Sequence, residues 1–174
     1  MKFSKGFTLV ELLVVIGVLG ILALGLLATI DPLEQFKKGA DANKKASALE
    51  LHNALTRYYT IHGDFPWVVS TSFPTPCMTL VIGAGNQASL ASPGFLPCVI
   101  RLQDVGELKT TFSSQAKILS GLYVAQQTSS SGPVTVCYDP ESKAESSSPQ
   151  TNVKFDGVTA CTPGASTGCY WCAR

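Results

Sequence analysis

No cysteine occurs before Cys77, histidine appears only as His52 and His62, and neither sign of charge dominates. Each scarcity removes a class of function. Thirteen basic against twelve acidic side chains, a formal net charge of +1, leave no electrostatic footprint for nucleic acid. There is no H-E-x-x-H. Both histidines fall in one helical stretch whose pattern serves packing, so no constellation for catalysis is present. Cys169 and Cys172 form a C-x-x-C, but no second C-x-x-C or neighbouring histidine completes a zinc site, and the βαβ surroundings of a thioredoxin-like pair are missing. The expectation is a protein that is not an enzyme, with no cofactor and no metal.

What the sequence does have is a long apolar run, Phe7 to Ile30, in which the only polar side chains are Thr8, Glu11 and Thr29. At about 1.5 Å per residue it makes roughly 36 Å of helix, enough to cross a hydrocarbon core about 30 Å thick. A cleaved secretory signal is one reading, with Ala23-Leu24-Gly25 as a weak cleavage site, but the run is longer than a usual signal core. A plain membrane anchor is another. Both leave Glu11 unexplained, because an isolated carboxylate at mid-bilayer costs on the order of 2.5 to 3.5 kcal/mol. A third reading explains it. Cleavage after Gly6 would make Phe7 a new N-terminus whose α-amine is a cation for the acid at the fifth mature position.

The stretch "KGFTLVELL", Lys5 to Leu13, resembles the processing site of type IV prepilins and of the pseudopilins of type II secretion. It has a short basic leader ending in glycine, an aromatic first mature residue, then Thr-Leu and a glutamate ahead of an apolar helix. The resemblance implies cleavage between Gly6 and Phe7 by a membrane-embedded prepilin peptidase and N-methylation of Phe7. It also implies pairing of Glu11 with the amine of a neighbouring subunit as helices bundle into a filament. Lys2 and Lys5 hold the leader on the cytoplasmic side. Their removal leaves eleven basic and twelve acidic side chains, a side-chain sum of −1. Gly6, lacking a Cβ, lets a protease approach an extended backbone.

The expected fold is α+β and pilin-like. Residues 1–6 are the leader, 7–30 the transmembrane and polymerisation helix, 31–62 its amphipathic second half, and 63–174 a β-rich head. Ala48, Leu51, Leu55, Tyr58 and Tyr59 recur at helical spacing and mark the stripe to be buried, and Gly63 with Asp64 and Pro66 supplies the stop. One helix over about 8–62 is expected. Pro32 is its kink, with loosening from Gly25 to Pro32 and weaker points at Gly17, Gly20 and Gly39.

In the head, Met78–Ile82, Leu122–Gln126, Val134–Tyr138, 152–155 and 169–173 are strand candidates, the second and third forming a hairpin around a Ser/Gly turn. Residues 95–108 fit a strand or a short helix. Cys77, Cys98, Cys137, Cys161, Cys169 and Cys172 all lie in this Ser/Thr/Gly/Pro-rich half, a pattern for disulfides made in an oxidising compartment. Proximity favours Cys77 with Cys98 and leaves the other four open. Residues 140–152 are a solvated loop whose hydroxyls are possible sites of O-linked sugar. Some pseudopilin heads bind calcium through loop oxygens, but Asp139, Glu141 and Asp156 match no cation loop.

The resemblance implies as partners the prepilin peptidase, identical or related pilin subunits, an assembly platform protein and ATPase, and membrane lipid before assembly. Nucleic acid enters only through an uptake machine. The location implied is single-pass in the inner (cytoplasmic) membrane with the head outside the cytoplasm, then an extracellular pilus or a periplasmic pseudopilus. Three roles compete: a type IV pilus subunit, a pseudopilin of a type II secretion or DNA-uptake system, and a monomeric surface binding protein on a plain anchor.

Overall fold

The computed structural model describes residues 6–29, 31–68, 77, 87–126, 133–154, 159–164 and 168–174, and of residues 27–29, 87 and 88 the backbone alone. The chain divides into two compact units, Met1–Phe36 and Lys37–Arg174.

In the first unit the apolar run folds as one helix, α1 (Leu9–Thr29). A helix satisfies its own backbone groups, and the leucines and valines that flank each glycine keep it continuous although each glycine costs about 1 kcal/mol relative to alanine. The helix stays continuous through Thr29, and the interruption falls between Thr29 and Pro32, at the end of the region expected to loosen. The second helix, α2 (Pro32–His62), starts afresh. Asp31 caps it: its Oδ1 accepts from the amides of Leu33 and Glu34 at 3.1 and 3.3 Å. Pro32 occupies the first helical position, where a missing N–H leaves no bond unmade. The single helix expected over 8–62 is thus two, and Pro32 opens the second instead of standing inside one.

In the second unit α2 buries Ala48, Leu51, Ala54, Leu55 and Tyr58 on one face, with Asp41, Lys44 and Ser47 continuing the same side toward its start. Tyr59 is half-buried beside this core. Burial of Leu51 and Leu55, both fully enclosed, is worth at most about 1.5 to 3 kcal/mol each. The helix stops where Gly63 takes φ +79° and its N–H reaches the Tyr59 carbonyl at 2.8 Å, a left-handed turn that suits glycine. Beyond it Phe65 stacks on Tyr59 and on Trp67, with centroids 4.8 and 4.9 Å apart, and Trp67 tilts against Phe95 at 5.9 Å. The Trp67 indole N–H donates to Gln126 Oε1 at 2.9 Å, so the one polar edge of this aromatic row is satisfied inside the core.

The core is closed by a four-stranded antiparallel sheet in chain order, β1 (Gln87–Ser89), β2 (Leu122–Gln126), β3 (Val134–Tyr138) and β4 (Trp171–Ala173). Val124 lies opposite Val136, and Cys137 opposite Cys172. Alternation sends Leu122, Val124, Val136, Tyr138, Trp171 and Ala173 into the same core as the α2 stripe. The hairpin arms coincide with those read from the sequence. Residues 95–108 resolve as a helix, α3 (Leu96–Asp104), which buries Cys98, Val99 and Leu102. Two four-residue helices follow, α4 (Ala116–Leu119) and α5 (Lys143–Ser146). Of the remaining strand candidates, Met78–Ile82 lies outside the described residues. Val153 makes only isolated bridges, to Ala160 and Tyr170, and the 169–173 stretch contributes β4.

Disulfides join Cys77 to Cys98, Cys137 to Cys172, and Cys161 to Cys169. The two cysteines of the C-x-x-C therefore belong to different bridges, and neither offers a thiolate to a metal.

Candidate functional site

The processing segment sits where α1 begins. Gly6, Phe7 and Thr8 precede the first helical turn in non-helical backbone, no atom lies within 4 Å of where a Cβ on Gly6 would be, and Phe7 is 78% exposed. Gly6 and Phe7, between which the resemblance implies cleavage, are thus exposed among the described residues. Lys2 and Lys5 lie outside the described residues.

Glu11 is exposed and closes a ring with Thr8. Its Oε2 accepts from the Thr8 amide at 3.0 Å and from the Thr8 hydroxyl at 2.8 Å, while the Thr8 hydroxyl oxygen accepts from the Glu11 amide at 3.3 Å. The Thr8 carbonyl takes the first helical bond, from Leu12 N–H at 3.2 Å. This is a capping box, in which threonine ends the non-helical segment and the glutamate three residues on returns to it. The sequence reading placed Glu11 as the acid in need of a partner and overlooked Thr8. The Thr-x-x-Glu spacing was the signal that could have found it.

No residue from Leu9 to Leu26 is buried among the described residues, and Glu11 is the one charged residue of the span. Among the described residues it is the one helix long and apolar enough to cross a membrane. A side-chain surface this apolar needs lipid or other apolar helices against it.

Among the described residues the head gathers no comparable set of polar groups. Lys44 is nine-tenths buried on α2, and its ammonium donates to Glu141 Oε1 at 2.6 Å. Its stem passes close to Gly121, where an added Cβ would lie 3.0 Å from the Lys44 Cε. The pair lines a cavity of about 630 Å³ together with Asn43, Lys117, Tyr123 and Asp139. Desolvation pushes the Asp139 carboxyl above its ordinary range, and the Lys44 charge pulls it partly back. Of the loop carboxylates considered for calcium, Glu141 is occupied by Lys44, and Asp156 lies outside the described residues. Among the described residues no three His, Cys, Asp or Glu groups gather as metal ligands.

His52 and His62 stay on α2 as packing residues. His52 is half-buried and held below its ordinary pKa by desolvation, with a hydrogen bond to the Val134 backbone acting the other way. His62 packs against Tyr58 with ring centroids 4.3 Å apart.

A capped helix start on an exposed apolar helix long enough to cross a bilayer fits a membrane-anchored protein. Residues 1–27 match the family described as the prokaryotic N-terminal methylation motif, so the chain carries the type IV prepilin and pseudopilin signature. That family is structural and not enzymatic. No curated protein and no solved structure gave a significant match. With the helix, sheet and three disulfides described above, the architecture is pilin-like α+β.

Proposed function

We propose that this protein is a structural subunit of a type IV pilus or pilus-like filament. It is inserted in the membrane as a prepilin, cleaved between Gly6 and Phe7, N-methylated at Phe7 and polymerised through α1. The observation that carries this reading is the pairing of the methylation motif with an apolar helix none of whose residues from Leu9 to Leu26 is buried among the described residues. The helix lies in lipid before assembly and among copies of itself or related subunits after it. In the assembled bundle Glu11 meets the amine of a neighbouring Phe7. The pair sets the register between helices more than it adds net stability, because both charges must leave water to form it.

The prepilin peptidase, an assembly platform protein and an ATPase are the partners this route requires. The head lies outside the cytoplasm, where its three disulfides form and persist. A pseudopilin of a type II secretion or DNA-uptake system uses the same Gly6, Phe7 and Glu11 and differs in the machine around the filament. Mass spectrometry of the cell-derived protein tests the reading. A chain starting at methylated Phe7 with all six cysteines oxidised is expected, and a chain starting at Met1 or cut near Gly25 overturns it.

A further inference from the structure

The amine that Glu11 meets in the filament does not exist until the leader is removed, yet the carboxylate must enter the membrane beforehand. The Thr8 ring supplies its interim partners. Both bonds from Thr8 fall on Oε2, and among the described residues none falls on Oε1. A threonine hydroxyl has one proton to give and two lone pairs to accept with, so donating to Oε2 while accepting from the Glu11 amide uses it without conflict. The ring also ties the glutamate back toward the start of the helix, on the side where cleavage will release the new terminus.

Resting on the filament reading, we propose that Thr8 is a positioning residue for Glu11: its amide and hydroxyl hold Oε2 in the uncut chain and leave Oε1 presented to the amine of a neighbouring subunit. Hydrolysis breaks the Gly6 C–Phe7 N bond, placing the hydroxyl of water on the Gly6 carbonyl carbon and its proton on the Phe7 nitrogen; the new Gly6 carboxyl then releases a proton and the Phe7 amine takes one up, giving each mature copy a cationic amine. Nothing in the ring has to break for that amine to dock, because the ring uses the other carboxylate oxygen. Thr8 also ends the helix ahead of Leu9, so that Gly6 and Phe7 reach the peptidase unwound.

The test compares Thr8→Val, which keeps the shape and loses the hydroxyl, with Thr8→Ser, which keeps the hydroxyl. In the full uncut chain in detergent micelles, hydrogen exchange of the residue-8 amide is expected to quicken about five-fold in Thr8→Val and to stay at the parent rate in Thr8→Ser. In cells, Thr8→Val chains are expected still to begin at residue 7 while the amount recovered in filaments falls about five-fold or more, with Thr8→Ser restoring it. Unchanged exchange in Thr8→Val, normal polymerisation of that variant, or an equal loss in Thr8→Ser overturns the proposal. A parent chain found uncut at Met1 in cells would instead remove the filament reading, and the micelle measurement would still decide the ring.

Discussion

Replacing Asp41 with alanine should lower the melting temperature of the full chain in detergent micelles by about 10 °C. Asp41 is 3% exposed on α2, and it joins segments of chain a hundred residues apart. Its Oδ1 accepts from the Glu141 amide at 2.9 Å and its Oδ2 from the Ser142 amide at 2.8 Å. Ser142 is itself buried, and its hydroxyl caps α5 by accepting from the Glu145 amide at 3.3 Å. Hydrogen bonds to a charged acceptor contribute about 1.5 to 3 kcal/mol each, and the cost of burying the carboxylate offsets part of two of them, leaving roughly 3 kcal/mol. For a unit of about 140 residues the unfolding entropy is about 0.3 kcal/mol per kelvin, which converts 3 kcal/mol to the stated shift.

The assay is near-ultraviolet circular dichroism on heating, with buried Trp67 and Trp171 as reporters. Asp41→Asn keeps one carbonyl acceptor and should lose about half as much. Glu50→Ala breaks only an exposed pair with Lys109 at 3.9 Å and should move the midpoint by less than about 2 °C. A shift for Asp41→Ala no larger than that of Glu50→Ala would refute the claim that this carboxylate fixes the loop to the helix.

The other perturbations address charge, cross-links and assembly. Because the folded-state pKa of His52 is depressed, its contribution to stability is full above the unfolded value of about 6.5 and is lost as pH falls below it. The urea midpoint of the parent should drop between pH 7.5 and 5.0 by more than that of His52→Gln, and equal drops would show that His52 is not the group responsible. Removing Cys137 and Cys172 together opens a sequence separation of 35, about 4 kcal/mol on a chain-entropy basis. Removing Cys161 and Cys169 opens one of 8, about 2.5 kcal/mol. Urea midpoints should rank the two double-alanine variants in that order, and the reverse order would count against the loop-closure account. Glu11→Ala should be cleaved yet fail to polymerise, whereas Gly6→Leu should leave the leader attached, both read by mass spectrometry and filament recovery. Normal polymerisation of Glu11→Ala would end the electrostatic argument.

The elements that could be read along the chain are those whose signal is local and repeated. The α2 stripe from Ala48 to Tyr58 follows a period that only one face of a helix satisfies, and β2 and β3 alternate on either side of a turn-rich stretch. Residues 95–108 were ambiguous because a short apolar run suits either backbone. Proline at the start and the burial of Cys98, Val99 and Leu102 on one face settle it as α3. At Pro32 the sequence marks an interruption, and Asp31, whose carboxylate accepts from the Leu33 and Glu34 amides, makes that point the start of a second helix.

By itself the sequence determined the N-terminal methylation motif, the apolar character of α1, the stripe of α2 and the clustering of all six cysteines in the second half, since composition and spacing within a few tens of residues suffice for each. Tertiary structure alone decided how Cys137, Cys161, Cys169 and Cys172 pair and why Asp41 and Lys44, charged residues on a helix, are buried. Their partners, Glu141 and Ser142, lie about a hundred residues away and become neighbours only once the sheet closes over the helix. The same distinction applies to Glu11. The sequence marked it as an acid in an apolar run, and the folded helix start supplied the threonine that holds it.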